Sequence, residues 1–305
     1  MIHGIINIQK EVGFTSHDVV AKLRGILHQK KIGHTGTLDP DATGVLPICL
    51  GKGTKVCDML TDRDKVYETV LLLGKETDTQ DISGQVQRVC DTSGVTVQQV
   101  KTVIKSFEGS IWQMPPMYSA IKVNGKKLYE LAREGKEVER KKRQVTIYGL
   151  RILKMELPRV WMEVSCSKGT YIRTLCHDIG SKLQTGGCME RLKRTRVGEF
   201  SLEESLTLEK VEALAKEGRL DSCLIPVDRL FLKYPEKTAQ KGMEKALRNG
   251  NPIPIGCVTP KEGSKEEPVI RLYEASGVFM GIYEKKEKWY KPIKLFFDTQ
   301  DPGSV

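Results

Sequence analysis

A single carboxylate, Asp39, stands between the Gly36-Thr37 turn and Pro40 in the run Gly33-His34-Thr35-Gly36-Thr37-Leu38-Asp39-Pro40-Asp41-Ala42-Thr43-Gly44-Val45-Leu46-Pro47. Glycine and proline at these spacings disfavour helix and strand alike, so the pattern predicts a stiff loop that presents the acid. A presented carboxylate can act as a nucleophile when something keeps it ionised and oriented, and an arginine fork does both through charge-assisted hydrogen bonds. Arg173 falls in the first turn of a predicted helix, which sets it apart from a decorative surface arginine. A cation there opposes the helix dipole at a cost of about 0.3–1 kcal/mol unless an anion lies close.

Other chemistries fit less well. The five histidines, at 3, 17, 28, 34 and 177, lack ligand spacing, and Asp78 and Asp81 lack the alternation of a calcium loop, so no metal is assigned. No P-loop or G-x-G-x-x-G follows a strand, which argues against a nucleotide cofactor.

The elements around these residues follow from periodicity. Thr15 or Ser16 can cap a helix that carries Val19, Val20, Leu23, Ile26 and Leu27 on one face and leaves through His28, Lys30 and Lys31. Val66 to Leu73 reads as a strand opened by Tyr67, with Thr69, Leu71 and Leu73 on the same face, running into a polar stretch from Lys75 to Gly84. Val97 to Phe107 is helical by period, and the prolines of Met114-Pro115-Pro116-Met117-Tyr118-Ser119 predict an irregular insertion. Leu128 to Ala132 predicts a short helix, and Val145 to Leu153 with Val160 to Cys166 an antiparallel pair. Gly169-Thr170 is expected to cap the helix bearing Arg173, whose inward residues are Ile172, Leu175, Ile179 and Leu183. Thr207 to Lys216 is another helix; beyond Pro226-Val227-Asp228 come a short helix, Ala239 to Leu247, and the strands Val269 to Tyr273 and Phe279 to Glu284. The run Lys261 to Glu267 reads as a solvated loop.

A chain of 305 residues with 49 basic and 39 acidic side chains carries a formal charge of +10 spread through a globular composition, which favours a polyanionic partner, nucleic acid first. The eight cysteines form no C-x-x-C pair and no secretory leader is expected, so reduced thiols and a cytoplasmic location are expected. No apolar run approaches the roughly 20 residues of a membrane span, and no membrane partner is expected.

The loop, with Leu50-Gly51 and Thr54-Lys55 behind it, resembles the TruB-type bacterial transfer-RNA pseudouridine synthases. The likeness continues, in family order from about residue 3 to 200, through Lys65-Val66-Tyr67, Thr77 to Asp81 with Gly84, Pro115 to Lys122, Gly169 to Leu175 and Leu192 to Gly198. Residues 234 to 298 are similar, less specifically, to the small RNA-binding PUA barrel that ends such enzymes.

The resemblance implies an α+β pseudouridine-synthase fold: a mixed, largely antiparallel central sheet flanked by helices over residues 1–231, an RNA-binding insertion at about 114–144, and a PUA-like barrel over 232–305. It implies that the T-loop uridine, position 55 of transfer RNA, is flipped out and isomerised to pseudouridine without a cofactor, metal or guide RNA, by a protein acting as a monomer. Departing uracil spreads its charge over two carbonyls, so one carboxylate can suffice where glycosidases usually employ two. Asp39 would act at C1′, or in a competing route help to remove the C2′ proton and form a glycal. Arg173 would pair with Asp39, Tyr67 would stack on the flipped uracil and help remove its C5 proton, and Leu192 would form an apolar wall. His34 would fill the gap left by the base, Tyr171 would contact substrate, and Lys10 with the basic insertion around Lys122, Lys126, Lys127 and Arg140 to Arg143 would hold phosphates. Glu11 replaces the family's usual proline, and Gln184-Thr185 replaces a glycine-containing pair.

Taken singly these residues have plainer roles: an Asp before Pro is ordinarily a turn residue, a strand-opening tyrosine and a lone leucine are ordinarily packing, and a basic run is a solvated turn. The order of the blocks outweighs those readings. A rival of another class is an RNA chaperone that folds transfer RNA without chemistry, and a nearer one is a guide-RNA-dependent synthase, from which the Ala42 to Pro47 continuation departs.

Overall fold

The computed structural model describes residues 1–123, 125–261 and 267–297. Most of the Lys261 to Glu267 loop and residues 298–305 lie outside the described residues. The chain starts with β1 (Gly4–Lys10), then α1 (Ser16–Ile26), β2 (Ile32–His34), β3 (Thr43–Leu50), the one-turn α2 (Cys57–Thr61) and β4 (Lys65–Leu73). Thr15 caps α1 as predicted: its hydroxyl accepts from the Asp18 amide while the Asp18 carboxylate accepts from the Thr15 amide. Such reciprocal caps satisfy donors that a helix start leaves open. Val19, Val20 and Leu23 then face the sheet.

The expected polar stretch after β4 is in part a hairpin, β5 (Lys75–Thr77) with β6 (Val86–Val89). Its tip is tied inward, because the Met189 amide donates to the Gln80 carbonyl and the Ile82 amide to the Met189 carbonyl. Gln80 adopts a left-handed φ of 64° to make this turn, an arrangement that costs about 1–2 kcal/mol for a residue with a Cβ. Next come α3 (Val97–Lys105), β7 (Gly109–Gln113), and an insertion holding β8 (Lys122–Val123), β9 (Lys126–Lys127) and α4 (Leu128–Arg133). The predicted antiparallel pair is longer than expected, β10 (Arg143–Glu156) with β11 (Arg159–Cys166). α5 (Ile172–Lys182) starts from Tyr171, not from Gly169-Thr170. The Thr170 hydroxyl is engaged elsewhere, donating to the Ser167 carbonyl at 2.9 Å. β12 (Gly187–Val197), β13 (Phe200–Ser201) and α6 (Leu208–Lys216) complete this part.

Among the described residues nine strands form one sheet, ordered β1-β3-β12-β4-β11-β10-β7, with β2 beside β3 and β13 beside β12. Only the β3–β12 pairing in it is parallel, so the mixed, largely antiparallel sheet expected from the sequence is what forms. β12 runs through its interior although five of its eleven residues are charged. Gly44 permits the parallel join: a Cβ there would stand 2.1 Å from the Arg194 carbonyl oxygen, and its φ of 105° suits glycine. One core packs α3 and α5 against β4, β10, β11 and β12, and another packs α1 and α6 against β1 and β3.

The remaining strands, β14 (Glu236–Ala239), β15 (Ile253–Pro254), β16 (Val258–Pro260), β17 (Val269–Tyr273), β18 (Phe279–Lys286) and β19 (Trp289–Leu295), form a second, nearly closed sheet ordered β15-β19-β18-β17-β14-β16. The helix expected over Ala239 to Leu247 divides: Ala239 ends β14, and α7 is only Glu244–Arg248. Gly242, at φ 94°, turns the chain between them. A cluster containing Val45, Cys49, Val197, Phe231, Ile282 and Phe296 joins the two sheets. No helix among the described residues is long and apolar enough to cross a membrane.

Candidate active site

Asp39 sits in a turn that is stapled from both sides. Its own carbonyl accepts from the Ala42 amide at 3.1 Å with Pro40 between, a β-turn with proline at its favoured second position. Leu38 and Ala42 are buried in the core beneath, and the Leu38 amide donates to Ser16 Oγ at 2.9 Å. On the far side the Pro40 carbonyl accepts from the Gly13 amide and from Lys10 Nζ, both at 3.0 Å. Upstream, fully buried Thr35 donates through both its amide and its hydroxyl to the Pro47 carbonyl. A carboxylate so mounted has little freedom to wander.

Arg173 meets it. Its Nε lies 3.2 Å from Asp39 Oδ2 and its Nη2 3.4 Å from Asp39 Oδ1, a two-pronged contact. The same guanidinium donates from Nη1 to the Thr79 carbonyl at 3.2 Å and to Asp81 Oδ2 at 3.4 Å, and from Nη2 to the Tyr118 carbonyl at 2.8 Å. Arg173 therefore ties together the Asp39 loop, the β5–β6 hairpin and the root of the insertion. The Arg173 side chain is 8% exposed and that of Asp39 39%, which leaves the acid an open side. Burial raises the Asp39 pKa above its usual value, the Arg173 cation opposes the rise, and the Asp81 carboxylate adds to it. Two anions flanking one guanidinium resolve the dipole conflict expected at the start of α5.

Tyr67 belongs to the core cluster that also holds Leu38 and Ala42 and feels the Asp39 charge, and partly buried Leu192 packs against the same cluster. Leu192 stands on β12 opposite Thr69 of β4, and Tyr67 stands opposite Arg194. His34 lies on β2, edge-on to His17 with ring centroids 5.2 Å apart. Burial lowers its pKa, and the neighbouring His17 and Arg194 charges lower it further, which favours an uncharged ring. Tyr171 caps α5 through its backbone: its amide donates to Gln113 Oε1 at 2.9 Å and its carbonyl accepts from Gln113 Nε2 at 3.1 Å. Lys122 is exposed on β8, shortly beyond the Tyr118 carbonyl held by Arg173.

Lys10 departs from the sequence reading as a phosphate contact. It is 1% exposed, and its Nζ donates to the carbonyls of Phe14 at 2.6 Å, Glu11 at 2.9 Å and Pro40 at 3.0 Å, which uses all three ammonium hydrogens. It is a buried clasp on the Asp39 turn. Burial lowers its pKa to about 8 from 10.5, so the unfolded chain binds the extra proton between those values and this group's contribution to stability grows as pH rises through that window. Lys10→Met is expected to cost about 1–3 kcal/mol by denaturant melting, because three buried carbonyls lose their donor. The salt dependence of RNA binding should stay the same; a shallower slope would restore the phosphate role.

Sequence reasoning did not single out Asp81, Gln113 or Arg194 for the site. Asp81 accepts from Thr79 Oγ1 at 2.8 Å and Ser83 Oγ at 2.6 Å, and so is itself fixed. The polar clustering of Thr77 to Asp81 was its available signal. Among the described residues no group of three or more His, Cys, Asp or Glu side chains is arranged to hold a metal ion.

TruB family pseudouridylate synthase (N terminal domain) matches residues 24–172, and tRNA pseudouridylate synthase B C-terminal domain matches residues 173–232. The chain is 54% identical to tRNA pseudouridine synthase B of Lachnoclostridium phytofermentans, over 97% of this chain and 100% of that one. It is 40% identical to the protein of the same name from Bacillus pumilus, with both chains covered completely. Among solved structures, a chain of a Cbf5-Nop10-Gar1 complex superposes with a TM-score of 0.71 at 26% identity, covering 97% of this chain and 86% of that one. A chain of an H/ACA ribonucleoprotein bound to a substrate RNA shares the fold, with a TM-score of 0.70 at 24% identity over 98% and 86% of the two chains. The class of protein is thus a pseudouridylate synthase. Within that class the chain belongs to the TruB family.

Proposed function

We propose that the protein isomerises the T-loop uridine at position 55 of transfer RNA to pseudouridine, using Asp39 on the ribose of a flipped nucleotide. The observation that carries this reading is the Arg173 fork on Asp39, at 3.2 and 3.4 Å, on a chain whose full-length relatives are tRNA pseudouridine synthases B. Arg173 keeps the acid ionised against the cost of burial, and the open side of Asp39 admits the sugar. The glycosidic bond breaks, uracil turns, and C5 bonds to C1′. Asp39 serves either at C1′ or at the C2′ proton.

Tyr67 supports the displaced base, Leu192 walls it, His34 occupies the space it vacates, and Tyr171 lies by the substrate at the start of α5. Lys122 and the exposed insertion bind phosphates. Residues 1–231 form the catalytic domain, with the insertion at 114–144, and 232–305 the PUA-like domain. The protein works as a cytoplasmic monomer on the T arm, without metal, cofactor or guide RNA.

The test is tritium release from C5-tritiated uridine in an isolated T-arm hairpin, with purified protein and no other RNA. Turnover with product at that one uridine is the expected result. Turnover only on addition of a guide RNA would overturn the stand-alone reading. Binding should weaken with salt at a log-log slope of about −0.7 to −0.9 per phosphate neutralised.

A further inference from the structure

Arg194 is a buried cation for which the mechanism above has no task. It lies at the middle of β12, paired with Tyr67 of β4 on one side and with Gly44 of β3 on the other. It is 1% exposed. Its Nε donates to the Val45 carbonyl at 2.7 Å, whereas its Nη2 is buried without an acceptor in the protein. Among the described residues no carboxylate pairs with it, and the acidic group that acts on it is the Tyr67 phenol. An unpaired ion taken out of water is strongly disfavoured. Anchoring β3 through one carbonyl does not require a guanidinium.

The surroundings reinforce the point. Lys10 of β1, His34 of β2 and Lys65 of β4 all feel the Arg194 charge, so the region beside the phenol is rich in positive charge. Against Tyr67 itself stand Arg194, Cys166 of β11 and Asp39 of the loop. Burial, Cys166 and Asp39 hold the phenol pKa up, and Arg194 pulls it down.

We propose that Arg194 is a positioning residue for Tyr67: it holds the phenol oxygen in place and carries the countercharge when that oxygen is a phenolate, the form able to take the C5 proton of the isomerised base. This rests on the function proposed above. The step balances without any co-reactant. Once C5 has bonded to C1′, the phenolate oxygen takes the C5 proton and the C–H electron pair becomes the C5=C6 bond. The C6=N1 pair returns to N1, and N1 takes the proton from the phenol, which leaves the phenolate as it began.

The experiment is single-turnover tritium release on the T-arm hairpin across a pH series, for the wild type, Arg194→Gln and Arg194→Lys. With Arg194→Gln the rate at neutral pH should fall on the order of tenfold or more, with its rise displaced to higher pH. Arg194→Lys should retain most of the rate, and T-arm affinity should hold in both. Trifluorotyrosine at position 67, a more acidic phenol, should restore much of the Arg194→Gln rate at neutral pH. A wild-type pH profile in Arg194→Gln, or a loss at every pH that the acidic phenol does not relieve, overturns the proposal. If Arg194→Gln does not fold, trifluorotyrosine in the wild-type chain decides: the rise must move to lower pH, and an unmoved profile overturns it. Absence of tritium release from the wild type would instead strike at the function itself.

Discussion

Asp39→Asn should reduce tritium release from the T-arm hairpin by about 10³-fold or more while T-arm affinity stays within a few-fold of wild type. The amide matches the carboxylate in shape and still offers Arg173 one acceptor, so the turn held by Lys10, Gly13 and Ser16 has no reason to move. What disappears is the charge. An amide can neither attack C1′ nor accept the C2′ proton, so both routes fail together. Stability should not suffer in proportion. Burial raises the Asp39 pKa, which means that the folded state favours the protonated acid and that ionisation at neutral pH already weighs against folding. A neutral side chain lifts that cost as it loses the ion pair. Near-wild-type tritium release by Asp39→Asn would remove the aspartate from the mechanism, and lost binding would assign it to recognition.

The second large effect is expected at Arg173. Arg173→Lys keeps a charge without the fork, and Arg173→Met removes both; kcat should fall by about 10²-fold and 10³-fold respectively, with smaller changes in KM. The two variants should also differ in pH dependence, with a sign fixed by the geometry. Arg173 opposes the raised pKa of Asp39, and Asp81, 3.4 Å from the same guanidinium, adds to it. Without the cation, burial and the Asp81 and Asp41 carboxylates push the Asp39 pKa upward with only Lys10 opposing them, so the acid limb of kcat/KM should move to higher pH in Arg173→Met and less in Arg173→Lys. Raising the pH should then recover part of the lost rate. A pH profile that stays in place with full loss of activity would mean that Arg173 supports only the insertion, through the Tyr118 carbonyl.

The first turn of α5 and the Asp39 loop were legible in the sequence for physical reasons. Proline and glycine spell the turn, and an arginine against a helix dipole asks for an anion, which the fold supplies twice over. β12 was not legible, because Glu190, Arg191, Lys193, Arg194 and Arg196 interrupt any apolar pattern that a central strand should carry. Its environment explains this: Arg194 is anchored on the Val45 carbonyl and stands opposite Tyr67 of β4, and Glu190 reaches past β4 to take Arg159 of β11 in a two-pronged contact. Lys10 misled for the opposite reason. The family resemblance made this lysine a phosphate contact, whereas three carbonyls converge on it in the fold. The Gln113 clip on Tyr171 joins residues 58 apart, beyond any local pattern.

Phe231, Phe279 and Phe296 stack in the seam between the two sheets, with Val45 and Val197 behind them. Val45 follows Gly44 on β3 and also supplies the carbonyl that Arg194 grips, so the weld is made on the same strand that follows the Asp39 loop. The carboxy-terminal barrel is consequently seated on the sheet that follows Asp39 through a shared apolar seam, so the two do not meet by a bare tether alone.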